Sequence, residues 1–210
     1  PEKLDELLDI VASEQGFLRK ELQQRNTKSK IDKAHYKFYY TPLHKTSKDE
    51  EYVLLDILFE EVQYKNLVEL KIQSSFLPEK ESPLTVKSAC LEDITGDKLT
   101  AFAPNTTGIP YFKGTDSMSM EIIKQLYDIG NLFDNVTDIE TIKTTFKKFA
   151  KTELEYREMN NLTEKDVLED IYQTSLCIVS RGADGKGDFD QLQQGIQRIS
   201  RFIFSESYYI

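Results

Sequence analysis

The chain has 210 residues, 39% hydrophobic and 30% charged, with 12 Phe, 11 Tyr and no Trp. That length and apolar share build a folded core and exclude a disordered chain, and no apolar run approaches the ~20 residues of a membrane helix. A net charge of −9 excludes nucleic-acid binding by bulk positive charge, leaving Lys143, Lys147, Lys148 and Lys151 as either a local basic patch or a solvated helix face.

The first predicted element is a helix, with Leu4, Leu7, Leu8 and Val11 at helical spacing and Gly16 as its stop. A polar stretch over 23–33 follows, then an aromatic-rich strand from His35 to Tyr40. The polar run 45–51 is a turn. Residues 52–59 carry apolar side chains on both faces, which predicts a central, covered strand. Residues 67–72 alternate as a third strand, and the three together make an antiparallel or mixed sheet.

Beyond Pro83 the pattern becomes helical, with helices expected near 89–103, 118–134, 138–158, 163–180 and 189–206. Pro104 to Thr115, containing Gly108, Pro110 and Gly114, reads as a loop. Thr163 with Asp166 forms a capping-box-like helix start. The fold class is therefore α+β: a small antiparallel or mixed sheet followed by a C-terminal helical bundle, with domains at 1–87 and 88–210. Cys90 and Cys177 lie far apart in apolar helical patterns, which fits packing in a reducing compartment and not a disulfide framework. No secretory leader is visible, so a cytoplasmic location is expected.

Two residues break the local pattern. Asp56 shares a strand face with Leu54 and Leu58, and a carboxylate there must be paired, bind a metal or bear a large desolvation cost. Lys98 falls within the stripe of Leu91, Ile94, Ala101 and Phe102 on its helix, either reaching out to water along its stem or aiming an ammonium into a cleft. Asp128 sits on a polar arc with Glu121 and Lys124, so periodicity alone makes it a solvated partner of Lys124. Gly182 to Gly187 lacks the spacing and the Ser or Thr of a phosphate loop. Asp184, Asp188 and Asp190 lack the Gly and Glu of a calcium loop, Phe189 and Gly195 standing in their places.

The run Leu91 to Ala101 (LEDITGDKLTA), followed by Lys124 to Ile129 (KQLYDI), resembles the AbiEii/AbiGii family of nucleotidyltransferase toxins. In that family a helix of the form E-x-I-x-x-x-K-L-x-A precedes one carrying R/K-D-x-Y-D-L. The strand Val53-Leu-Leu-Asp-Ile57 is similar to the family's acid-bearing sheet strand, and the likeness spans roughly residues 30–205. The resemblance implies a nucleotidyltransferase-like α/β core over 1–87, with Asp56 as the third catalytic, metal-binding carboxylate. It makes Lys98 the residue that contacts nucleotide phosphates or orients the site, and Asp128 the acid of the last motif. It implies Mg2+ with an NTP substrate, transfer onto an acceptor such as tRNA or another RNA, a cognate antitoxin and no membrane.

The chain departs from the family pattern at Gln125, where Asp is common, and in lacking an Asp-x-Asp upstream of Asp56. Its one Asp-x-Asp, Asp188-Phe-Asp190, lies in the helical half. These departures lead us to expect sequence before Pro1 and a chain that is inactive by itself. A non-catalytic helical interaction module and a small-molecule nucleotidyltransferase remain as alternative readings.

Overall fold

A computed structural model describes residues 2–23, 32–44, 47–74, 83–200 and 202–203. Of the expected segments, 24–31 of the polar stretch, 45–46 of the turn and 201 and 204–206 of the last helix lie outside the described residues, and that helix ends at Ile199, short of the expected 206. The architecture is α+β, with six helices and small antiparallel sheets. The chain divides into two compact units, 1–62 and 63–210. Residues 63–87 belong to the second of these units, where the strand after Asn66 pairs with the strand entering the first helix.

In the first unit, helix α1 (Glu2–Glu14) is followed by strands β1 (Arg19–Leu22), β2 (Lys33–Tyr40) and β3 (Glu51–Leu58), paired antiparallel in the order β1-β2-β3. Ala34, Tyr36 and Phe38 of β2 face Leu8 and Ala12 of α1 in the core. Period-2 alternation then turns His35, Lys37 and Tyr39 to the opposite face. The buried side of α1 runs Leu4, Leu8, Ala12, whereas Leu7 and Val11 of the expected stripe are exposed. Gly16, at φ 73°, ends that helix as expected.

Strand β1 has no apolar alternation and was invisible to pattern. Its charges are matched one by one: Lys20 to Asp5 and Asp9 at 2.6 and 2.8 Å, Arg19 to Glu21 and Glu50. The covered, central position expected of residues 52–59 belongs to β2. Strand β3 is an edge, where Leu55 and Ile57 reach the core but Leu54 and Leu58 are exposed. Apolar residues on both faces thus marked a strand without marking its place in the sheet.

In the second unit β4 (Leu67–Lys71) pairs antiparallel with β5 (Thr85–Ala89), as a separate two-stranded sheet and not as the third strand of the first. Five helices follow: α2 (Leu91–Ala101), α3 (Ser119–Phe133), α4 (Ile139–Tyr156), α5 (Glu164–Val179) and α6 (Phe189–Ile199). Within the expected loop a short hairpin forms, β6 (Phe112–Lys113) with β7 (Asp116–Ser117), turning at Gly114 with φ 63°.

Helix starts are set by caps. Asp138 accepts from the amides of Glu140 and Thr141, Asp188 from that of Gln191, and the Thr163 amide donates to Asp166 at 2.8 Å. Cys90 is the N-cap of α2 and not part of an apolar helical pattern, while Cys177 is buried in the core as expected. One core joins Phe102, Ile122, Ile123, Ile129, Ile178, Leu192 and Ile199; a second joins Phe146, Ala150, Leu154 and Val167.

Candidate functional site

Helix α2 is held between α3 and α4. Its side toward α4 carries the small and polar residues Asp93, Gly96 and Thr100, which share a face at helical spacing and are all buried. Gly96 explains the closeness: a Cβ there would lie 2.7 Å from the Ile142 carbonyl oxygen and 2.9 Å from the Phe146 amide nitrogen.

Asp93 is fully buried and fully engaged. Its Oδ2 accepts from the Asn66 amide at 2.7 Å, and its Oδ1 from the Thr145 hydroxyl. Next along the helix, Asp97 accepts from the Tyr64 hydroxyl at 2.7 Å, and Tyr64 stacks on Phe149 with ring centroids 5.1 Å apart. Burial holds the Asp97 carboxyl above the usual range, although Tyr64 and Lys98 pull it the other way. Burial likewise pushes the Tyr64 phenol up, so it stays a neutral donor.

The other side of α2 meets α3, and Lys98 projects there. Its Nζ donates to Asp128 Oδ2 at 2.6 Å and to Gln125 Oε1 at 3.2 Å. About a third of each ion-pair side chain is exposed, 32% for Lys98 and 36% for Asp128, so the pair lies at the mouth of the helix interface. Such a pair keeps one ammonium proton for a further acceptor. The i,i+4 partnership of Asp128 with Lys124 expected from periodicity is not the one recorded. Asp128 reaches across to α2, while Lys124 lies over the Phe202 ring, 4.1 Å from its centroid.

Asp56 lies in the first unit, on the sheet face opposite the core. It stands directly across from His35 in the β2–β3 register, and His35 Nδ1 is 2.5 Å from Asp56 Oδ1. The carboxylate is paired but not buried, with 58% of its side chain exposed. The edge-to-face ring pair of Tyr39 and Tyr52, with Arg19 3.7 Å over the first and Lys37 4.2 Å over the second, completes that surface.

Sequence reasoning singled out Lys98, Asp128 and Asp56, and the fold brings the first two together. It missed His35, Asp93, Asp97 and Tyr64. A signal for Asp93 was available in the Asp-x-x-Gly-x-x-x-Thr spacing of α2, a polar, small-residue face of the kind that close helix packing uses. The pairing of His35 with Asp56 depends on strand register and has no local signature. The two rejected motifs resolve into structural parts: Gly182 and Gly185, at φ 77° and 80°, turn the chain out of α5, and Asp188 caps α6. Lys143 and Lys151 pair with acids on their own helix and Lys148 donates to the Gln63 carbonyl, as on a solvated face.

The magnesium implied by the resemblance needs a cluster of donors. Among the described residues no group of three or more His, Cys, Asp or Glu side chains could hold a metal ion. Asp56 has a histidine partner and Asp128 a lysine partner. No helix among the described residues is long and apolar enough to cross a membrane.

No curated protein and no solved structure matches the chain. A protein-family model described as "Nucleotidyl transferase AbiEii toxin, Type IV TA system" matches residues 1–203, nearly the whole sequence, including α2 and α3 with their lysine and aspartate. Membership in such a two-component system implies a cognate antitoxin. On that match the chain belongs to the AbiEii family of nucleotidyltransferase toxins.

Proposed function

We propose that the chain holds the triphosphate of an NTP at Lys98 and serves transfer of the nucleotidyl group to an RNA acceptor, with tRNA the first candidate, in a cytoplasmic setting. The observation that carries this reading is the Lys98–Asp128 ion pair, which ties together the two helices bearing the family's motifs and leaves the ammonium partly open. A fixed ammonium offsets phosphate charge without reorganising at the moment of reaction. In nucleotidyl transfer the acceptor hydroxyl oxygen bonds to the α-phosphorus, pyrophosphate leaves, and the hydroxyl proton passes to a base.

With no Asp-x-Asp upstream of Asp56, this reading expects the chain alone to bind nucleotide without turning it over. Isothermal titration of ATP and of other NTPs into the chain tests it, with labelled-NTP incorporation into tRNA and into aminoglycoside acceptors run in parallel. We expect binding that Lys98→Met weakens at least tenfold with the fold unchanged. Equal binding by Lys98→Met would overturn the phosphate role and favour a non-catalytic interaction module. Incorporation into either acceptor would overturn the expected lack of turnover, and incorporation into the small acceptors alone would also replace RNA by a small-molecule substrate.

A further inference from the structure

Strands β4 and β5 form a two-stranded ribbon with its side chains in the open. Every residue of β4 is exposed, and along β5 only Ser88 and Ala89, at the helix end, are not. Period-2 alternation and the register put Val68, Leu70, Ile72, Leu84 and Val86 on one side, each between 37% and 65% exposed. A two-stranded ribbon is marginal in water until further strands or a helix extend it, and an apolar face of this kind marks a surface that meets a partner.

The ladder shows which edge is available. The Cys90 amide donates to the Asn66 carbonyl at 3.0 Å and the Ile72 amide to the Leu84 carbonyl at 2.7 Å, so the bonds to β5 run through residues of even number. The amides and carbonyls of Leu67, Glu69 and Lys71 therefore point to the opposite edge. No strand pairs there among the described residues.

We propose that this edge of β4 pairs antiparallel with the same edge of a second copy, joining the two ribbons into one sheet across a two-fold axis at Leu70. Charge selects that register. With Leu70 opposite its own copy, Glu69 faces the partner's Lys71, and symmetry repeats the pair. These are the hydrogen-bonded positions of the new ladder. Val68 faces the partner's Ile72 at a non-hydrogen-bonded position, as Leu70 faces its copy, and there facing side chains come closest. An axis at Glu69 would instead set that carboxylate against itself. Strand β5 carries Lys87 as its one charge, so no register of β5 on itself gains an ion pair.

Sedimentation equilibrium of the full 210-residue chain from about 1 to about 100 µM tests the pairing, with melting curves confirming that each variant folds. A dimer of the 24.4 kDa chain is expected. Glu69→Lys and Lys71→Glu should each weaken it at least about tenfold, most strongly at low salt. An equimolar mixture of the two variants should recover the dimer, since their charges then oppose across the edge. Leu70→Cys should form an intersubunit disulfide in a glutathione redox buffer, and Val68→Cys should not, because its copies lie too far apart. A chain that stays monomeric throughout would leave the ribbon to a different partner and overturn the proposal. A dimer indifferent to both charge reversals, or Val68→Cys cross-linking as readily as Leu70→Cys, would overturn it as well.

Discussion

Asp97 and Lys98 are neighbours in sequence with opposite fates. Asp97 points back among Tyr64 and the α4 side, where burial disfavours its charged form. Lys98 points to α3 and half-open water. A carboxyl held above its ordinary range contributes its full stabilisation in acid, below its unfolded value, and loses it as pH rises through the raised one. Asp97→Asn keeps an acceptor for Tyr64 and removes the ionisation. The variant should therefore melt higher than the parent at neutral pH, with the advantage vanishing in acid, as a series of thermal melts against pH would record. At this scale the sequence was half legible. Asp128 looked solvated by its own helix, and only the resemblance pointed to its engagement. Its partner, Lys98, is 30 residues upstream, and helical periodicity carries no information about which neighbouring helix a polar residue will meet.

Helix bounds were readable because caps are local chemistry. The starts at Ile139, Glu164 and Phe189 follow Asp138, Thr163 and Asp188, each satisfying free amides within three residues. Strand partnership was not readable, since it is fixed by distant segments. The run 67–72 announced a strand correctly but not its pairing with Thr85–Ala89, and β3 announced its hydrophobicity but not its edge position.

The α2–α4 contact gives a sharp expectation at the level of elements. Replacing a mid-helix glycine by alanine ordinarily stabilises a helix by about 1 kcal/mol. At Gly96 the new methyl would meet backbone atoms of α4 at 2.7 and 2.9 Å, and overpacking of that kind costs about 1–3 kcal/mol before any helix shift. The second effect wins, because backbone cannot turn aside as a side chain can. Urea denaturation of Gly96→Ala should show a net loss of up to about 2 kcal/mol, against the usual trend for an alanine in a helix.

Taken as a whole, the molecule builds its two units by different means. The first unit has a small core of one helix against one sheet face, where Tyr36 and Phe38 provide most of the bulk. The second stacks five helices around two apolar clusters and uses buried carboxyls as struts: Asp93 between Asn66 and Thr145, Asp170 under the Asn105–Thr106 turn. Composition announced a globular α+β chain and the helical half correctly, since both follow from apolar periodicity. The struts were hidden, because an acidic residue in a sequence reads as surface until its donors are known.

The Asn66 amide gives its proton to a carboxyl sealed between two helices, so that proton is a clock for that seal. Solvent deuterium reaches it only when that hydrogen bond opens. In a native-state exchange experiment its protection should therefore exceed that of the other amides of its exposed, extended segment and fall in Asp93→Ala.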